Sequence, residues 1–194
     1  MDRILVVCAH PDDETLGLGG TIVKNIKKGA KVYVLIFTEG ESGREGNLEK
    51  QIKRRKDESV KACNILGVHK TKFLNFKDQQ LDNYLLLKLA KEIEVVIKEW
   101  KPNIIYTHFW GDVNQDHRQL FDATLIATRP TPWSKIDKIL CYETPSSTEW
   151  GNGNFKPNLF VDIEKELPIK IKALNQYKHE VEKFPHPRSI ESIK

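Results

Sequence analysis

The sequence contains no apolar run that approaches the roughly 18 consecutive residues of a membrane-spanning helix, which excludes an integral membrane protein. Cysteine is scarce: Cys8, Cys63 and Cys141 fit no metal-binding spacing, so we expect reduced core cysteines in a cytoplasmic protein. Only three residues precede the apolar run 4–9, too few for a signal peptide, and we expect a buried first strand there. Internal repeats and low-complexity tracts are also missing.

A large excess of one charge is missing as well, since 31 basic and 27 acidic residues give a net charge of +4. The densest basic run, residues 50–56, is followed at once by Asp57 and Glu58, and Ile52 precedes Val60 by a helical spacing, which is typical of the solvated face of a helix. We therefore expect no nucleic-acid partner. With 194 residues, of which 39% are hydrophobic and 30% charged, the chain fits a single domain spanning 1–194.

Strand-like and helix-like segments alternate along the chain. The apolar strand-like runs are residues 4–9, 31–37, 71–76, 103–107 and 138–142, and helical periodicity covers residues 21–26, 48–66, 85–100 and 117–128. This alternation predicts an α/β fold of the Rossmann-like, doubly wound type, a mainly parallel sheet with helices on both faces. Ligands of such sheets bind at the carboxyl ends of the strands, where the strand order reverses.

The rhythm changes after Tyr142. Residues 143–157 are rich in turn-forming residues and predict a long loop that could act as a lid, followed by a short strand at 158–162 and a helix at about 167–182. Trp110, Trp133 and Trp150 fall in predicted loops, where they could stack on sugar rings or form the contact of a homo-oligomer, which we expect.

The loop after the first strand combines a histidine with three successive acids, in the sequence Ala-His-Pro-Asp-Asp-Glu at residues 9–14. Neighbouring like charges are unfavourable unless a positive charge offsets them, and a divalent cation would do so. His10 and Asp13 could reach one ion across the tight turn while Asp12 points elsewhere. The alternative is that Asp12 or Asp13 caps a helix that begins near Thr15.

A second cluster follows the fourth strand and contains His108, Asp112, Asp116 and His117. Together the two loops could supply a histidine, an aspartate and a further histidine and leave one coordination position open, which is the catalytic-zinc pattern. The same ligand types suit iron, manganese or cobalt. Asp116 could instead cap the fourth helix or orient a neighbouring residue.

The glycines Gly17, Gly19 and Gly20 lack the spacing of a dinucleotide-binding loop, and the acids before them would repel a pyrophosphate. Close packing of a helix on the sheet explains them better.

These motifs carry a resemblance to a known family. The chain resembles the PIG-L/LmbE family of metal-dependent de-N-acetylases, and the resemblance covers most of its length. The matching segments are Ala-His-Pro-Asp-Asp-Glu at 9–14, Gly-Gly-Thr-Ile at 19–22, Thr-Glu-Gly-Glu-Ser-Gly at 38–43, Arg55 with Glu58, Phe-Lys-Asp at 76–78, Asp-His at 116–117 and Pro-His-Pro-Arg-Ser at 185–189. The resemblance implies a Rossmann-like fold, one zinc ion, and hydrolysis of the acetyl group from an N-acetylglucosamine-type amino sugar or its conjugate.

Carried over position by position, the resemblance implies that His10, Asp13 and His117 bind the metal and that Asp12 is the general base for a metal-bound water. Many members have a histidine that stabilises the oxyanion where this chain has Asn114. An amide can donate a hydrogen bond but cannot carry positive charge, so either Asn114 takes a weaker form of this role or His108 reaches in from the strand end.

Glu41 and Arg55 match positions that hold the sugar or its aglycone, although Arg55 could equally form a structural pair with Glu58 or Asp78. Family members commonly continue beyond the Pro-Arg-Ser segment, whereas this chain ends at Lys194, so we expect a short member or a truncated chain. Two other functions stay open: a metal-dependent hydrolase of another amide or of a phosphoester, and a non-catalytic sugar-binding module on the same fold.

Overall fold

The structure, a computed structural model, describes residues 1–46 and 48–194. Its strands and helices alternate through most of the chain, as the apolar pattern predicts. The elements are β1 (Arg3–Cys8), α1 (Asp13–Lys27), β2 (Lys31–Thr38), α2 (Leu48–Leu66), β3 (Lys70–Phe76), α3 (Leu86–Trp100), β4 (Ile104–His108), α4 (Gln115–Ala127), β5 (Lys138–Tyr142), α5 (Leu167–Leu174) and α6 (Ile190–Ile193), with short 3-10 turns at Leu81–Asn83 and Thr148–Trp150.

The five strands form one sheet in the order β3-β2-β1-β4-β5, and every neighbouring pair is parallel. The chain moves outward from β1 to β3 on one side and then returns to build β4 and β5 on the other. The strand order therefore reverses between β1 and β4, and the loops that follow these two strands meet at the same edge. This confirms the predicted doubly wound α/β fold.

The central strands β1, β2 and β4 are buried on both faces, because alternate residues point to opposite sides and helices cover each side. In β1, Ile4, Val6 and Cys8 pack with α1, α2 and α5, whereas Leu5 and Val7 pack with α3 and α4. Two hydrophobic layers thus hold β1 rigidly, and with it the loop that starts at Ala9.

The glycines of α1 allow close approach of other segments. A Cβ added to Gly17 would lie 2.5 Å from the Tyr142 ring, one at Gly19 would lie 2.9 Å from the Lys170 stem, and one at Gly20 would lie 2.5 Å from Ile163. The contacting partners are the end of β5, α5 and the segment before it. The predicted packing on the sheet is confirmed for Gly17, which faces Tyr142 of β5, whereas Gly19 and Gly20 pack against α5 and the segment before it.

The second half of the chain differs from its prediction. Residues 158–162 form no strand, and Leu159 and Phe160 are 56% and 79% exposed, because no backbone ladder joins this run to β5. The predicted helix 167–182 ends at Leu174, after which the chain continues in turns. Cys8 and Cys63 are buried, but Cys141 is exposed, so the expectation of three core cysteines was wrong for the last one.

Among the described residues, no helix combines the length and the apolar character that crossing a membrane requires.

Candidate metal centre and active site

His10, Asp13 and His117 come together at the edge where the loops after β1 and β4 meet. His10 Nδ1 lies 3.2 Å from His117 Nε2 and 3.4 Å from Asp13 Oδ2, and His117 Nε2 lies 3.5 Å from Asp13 Oδ1. All three side chains are buried, and each offers one ligand atom within 4.8 Å of the others. Elements more than a hundred residues apart in the chain thus converge on one point, as the sequence predicts.

The second nitrogen of His117 is held by Asp112. His117 Nδ1 lies 3.1 Å from Asp112 Oδ2, and this carboxylate also accepts hydrogen bonds from the hydroxyls of Ser147 and Thr148. The pKa of Asp112 falls to about 2, because the contacts with His117 and Ser147 outweigh the effect of burial. The carboxylate orients the ring so that its Nε2 lone pair faces His10 and Asp13.

His10 is held in a similar way. Its Nε2 lies 3.1 Å from Asp78 Oδ1 and 3.3 Å from Asp116 Oδ2, which leaves Nδ1 to face His117. Asp116 also accepts backbone hydrogen bonds from Gln79 and Leu81. Asp116 therefore orients a neighbour, one of its two predicted roles.

The donor set fits a divalent cation. Asp13 Oδ1 is buried and has no hydrogen-bond partner, although His117 Nε2 lies 3.5 Å from it. Burial opposes charge on His10, but three neighbouring carboxylates raise its pKa well above the usual histidine range. Burial also opposes charge on Asp13, but the nearby histidines hold its pKa well below the usual carboxyl range. The cluster thus favours positive charge at its centre, and two nitrogens with a carboxylate oxygen are ligands that zinc accepts.

Asp12 adopts a strained backbone conformation, with φ 155° and ψ −24°, directly before α1. Its backbone N–H donates to Glu14 Oε2, and its Oδ2 lies 2.9 Å from Arg55 and 3.3 Å from Arg188. Burial raises the pKa of Asp12, and the two guanidinium groups offset part of this effect. Strain of this kind costs about 1–3 kcal/mol and is concentrated at functional sites.

Glu180 holds three arginines together. It accepts two hydrogen bonds from Arg44, at 2.8 and 2.9 Å, pairs with Arg55, and lies 3.3 Å from Arg188. Since Arg55 and Arg188 also contact Asp12, Glu180 and Asp12 share two cations. A cavity of 240 Å³ lies beside this network, and its lining includes Arg44, Ser146, Glu180 and Arg188.

The sequence patterns assigned no role to Asp112 or Glu180. The sequence groups Asp112 with His117 in the second cluster, but nothing in the pattern indicates that its carboxylate contacts the His117 ring. No local signal marks Glu180, whose contacts arise only when the turns after α5 fold back towards α2.

The expected substrate contacts of Glu41 and Arg55 are not confirmed. Glu41 is 0% exposed and Arg55 is 2% exposed. Glu41 lies within 3.5 Å of Arg54 and 3.7 Å of Arg44. Arg55 does form ion pairs with carboxylates, as the structural alternative predicts. Its partners, however, are Asp12 and Glu180, and the sequence predicts Glu58 or Asp78.

His108 lies behind His10, Asp13 and His117, the three candidate ligands that form the metal-binding cluster. It has no exposed surface, its ring stacks on His117 at a centroid distance of 3.7 Å, and its Nε2 accepts the Ala9 backbone N–H at 3.0 Å. Burial lowers the pKa of His108 to about 4, so the ring is neutral. The expectation that His108 contacts the substrate is not confirmed, because its side chain is enclosed.

Asn114 caps α4, because its Oδ1 accepts the Asp116 backbone N–H at 2.9 Å. The cap was predicted for Asp116, and Asn114 takes that role. Its amide NH₂ remains as a donor, so the predicted contact with an oxyanion stays a prediction.

Comparison with known proteins identifies the family. Residues 5–128, more than half of the chain, match the sequence model of PIG-L, described as GlcNAc-PI de-N-acetylase. The chain belongs to the PIG-L family. The match includes every residue of the metal-binding cluster and ends before β5, so Glu180 and Arg188 lie outside it.

Relatives of this PIG-L chain carry the names of deacetylases. It is 34% identical over 181 residues to an Escherichia coli (strain K12) protein named uncharacterized deacetylase YaiS, with 90% of each chain covered. It is 28% identical over 188 residues to the probable N-acetyl-alpha-D-glucosaminyl L-malate deacetylase 2 of Bacillus subtilis (strain 168), covering 93% of this chain and 84% of the relative. The fold is similar to a solved structure. The crystal structure of the conserved protein TT1542 from Thermus thermophilus has a TM-score of 0.80 at 25% identity, covering 100% of this chain and 86% of the other.

Proposed function

We propose that this chain is a zinc-dependent N-deacetylase that removes the acetyl group from an N-acetylglucosamine-type amino sugar or its conjugate. The observation that carries the proposal is the convergence of His10, Asp13 and His117, in which one buried carboxylate oxygen of Asp13 has no hydrogen-bond partner. The family description and the name of the Bacillus subtilis relative support the choice of an N-acetylglucosaminyl substrate.

In this proposal His10, Asp13 and His117 hold the zinc ion, and other divalent transition metals suit the same ligands. Zinc, when bound, lowers the pKa of a coordinated water from about 15.7 to about 7 and polarises the acetyl carbonyl. Asp112 keeps the His117 ring in the orientation that binding requires, and Asp78 and Asp116 do the same for His10.

Asp12 acts as the general base and then as the general acid. It takes a proton from the attacking water as the new C–O bond forms, and it returns a proton to the sugar nitrogen as the C–N bond breaks, which releases acetate and the free amine. Arg55 and Arg188 fix the position of its carboxylate, and the raised pKa that burial gives Asp12 makes it a better proton acceptor. The amide NH₂ of Asn114 donates a hydrogen bond to the developing oxyanion.

The sugar is proposed to occupy the 240 Å³ cavity next to the arginine network. Its polar lining, which includes Arg44, Ser146 and Arg188, offers hydrogen bonds to hydroxyl groups, and Arg188 links it to the Asp12 carboxylate. A cytoplasmic location and assembly into a homo-oligomer are further parts of the proposal that follow from the sequence alone.

The test is acetate release from a panel of N-acetylated amino sugars, including N-acetylglucosamine, its glycosides and N,N'-diacetylchitobiose. Protein reloaded with zinc is compared with protein treated with a chelator. The proposal predicts acetate from at least one substrate, lost on chelation and restored by zinc. No acetate from any member, with zinc demonstrably bound, would contradict it.

A further inference from the structure

A second cavity of 580 Å³ lies on the α1 side of the sheet, between α1, the end of β5, residues 155–163 and α5. Its volume is within the range of small-molecule sites, roughly 300–1,000 Å³. Its apolar walls include Leu18, Tyr106, Leu140, Phe155, Phe160 and Ile163.

This cavity is separate from the metal-binding cluster. Tyr142 stands between the two, because its ring lines the cavity while its hydroxyl lies 3.2 Å from His108 Nε2. His10, Asp13 and His117 do not line it. A ligand in this cavity would therefore leave the predicted metal ligands untouched.

Lys170 lines the cavity from α5. Its side chain is only 8% exposed, and its stem lies against α1, where a Cβ added to Gly19 would be 2.9 Å from the Lys170 Cγ. Among the described residues, no hydrogen bond and no ion pair within 4.0 Å joins its ammonium group to another residue. Burial lowers the pKa of Lys170 to about 8, although the charge of Glu143 opposes this effect.

Because Lys170 is only 8% exposed, its ammonium group has little contact with water, and an anion that enters the cavity could pair with it. The other charged residues of the lining are Glu143 and Lys156, both exposed, so the lining carries more positive than negative charge. The remaining walls would be covered best by an apolar or aromatic body, since aromatic rings bury large areas and stack on one another.

We propose that this cavity binds a small anionic amphiphile, whose carboxylate or sulfonate pairs with Lys170 and whose apolar body packs against Tyr106, Phe155 and Phe160. The site does not depend on the proposed deacetylase reaction, because its binding needs neither zinc nor an acetylated sugar. Its failure and the failure of the proposed function are therefore distinguishable.

The test uses two fluorescent probes with the zinc-loaded protein. The probes are 8-anilinonaphthalene-1-sulfonate, which is anionic, and N-phenyl-1-naphthylamine, which has a similar body without the charge. Lys170→Met is expected to weaken binding of the anionic probe at least ten-fold and to leave the neutral probe unaffected. Lys172→Met, on the exposed side of the same helix, is the matched control and should change neither.

A competition experiment on the unaltered protein keeps the test independent of how the variants fold. Octanoate is expected to displace the anionic probe, and octanol to require at least ten-fold higher concentration, because only octanoate pairs with Lys170. Equal displacement by both compounds, no saturable binding of the anionic probe, or unchanged affinity in a folded Lys170→Met variant would overturn the proposal.

Discussion

The carboxylate of Asp112 lies beside the ring nitrogen of His117 that faces away from the metal-binding cluster. Asp112 lies 3.1 Å from His117 Nδ1, and the hydroxyls of Ser147 and Thr148 hold Asp112 in turn. The ring orientation at the cluster thus depends on contacts made by the loop after β5. Partners of this kind strengthen a metal site without touching the metal.

Replacing this partner is expected to weaken zinc binding. Asp112→Asn keeps a hydrogen-bond acceptor for His117 but removes the negative charge, and we expect the zinc affinity to fall about 10–100-fold. Competition with a chelating dye measures the affinity. Asp122→Asn, an exposed change in α4, is the matched control, and unchanged affinity in Asp112→Asn would refute the role of Asp112.

Glu180 positions the predicted general base through Arg55 and Arg188, which it shares with Asp12. Glu180→Gln loosens both arginines, and we expect kcat to fall about ten-fold with zinc content nearly unchanged, because the base is misplaced while the predicted metal ligands are kept.

Two further variants make this prediction specific. Glu180→Asp should recover part of the lost kcat, and Glu191→Gln, an exposed change in α6, should behave like the unaltered protein. A rise in KM at constant kcat would instead place Glu180 in substrate binding.

At the scale of elements, α4 is the helix that delivers His117, and Asn114 caps it. Asn114→Ala is expected to lower the free energy of unfolding by about 1 kcal/mol, because the Asp116 backbone N–H loses its acceptor. Urea unfolding measures this change. Asn114→Ser should keep most of the stability, since serine is an equally good cap.

The same serine variant separates the cap from the proposed oxyanion contact. It retains a capping oxygen but lacks the amide NH₂, so we expect kcat to fall about 100-fold without a matching loss of stability. An unchanged kcat in Asn114→Ser would exclude the oxyanion role and leave Asn114 as a cap alone.

The regular βα units could be predicted from sequence because local apolar period fixes both strand and helix, and the loops after β1 and β4 then had to meet. That topology brings His10 and Asp13 near the histidines at the end of β4 and in α4, and the family resemblance indicated His117 among these as the third ligand. Glu180 could not be predicted, because its partners lie far away in sequence and the pattern predicts a helix over 167–182, where the chain forms turns after α5. The predicted strand at residues 158–162 does not form, because this apolar run has no neighbouring strand with which to share backbone hydrogen bonds.

At the scale of the whole molecule, two groups of potential ligands share His10. One is the cluster with Asp13 and His117, and the other contains Asp78 and Asp116. Asp116 already accepts two backbone hydrogen bonds, and among the described residues no carboxylate is common to both groups, whereas paired-metal sites usually have a bridging carboxylate.

We therefore expect a single zinc ion per chain. Titration of metal-free protein, with bound zinc quantified by elemental analysis, should saturate at one equivalent. Saturation at two equivalents would favour a paired-metal hydrolase acting on a phosphoester.

The most direct test of the whole account measures zinc content and acetate release together in Asp12→Asn and His117→Ala, beside the unaltered protein and with a sugar that it deacetylates. We predict that Asp12→Asn retains its zinc but loses at least about 100-fold in kcat, because only the proton acceptor is removed. His117→Ala should lose both zinc and turnover. Near-normal acetate release by Asp12→Asn, or full zinc content and turnover in His117→Ala, would contradict the account.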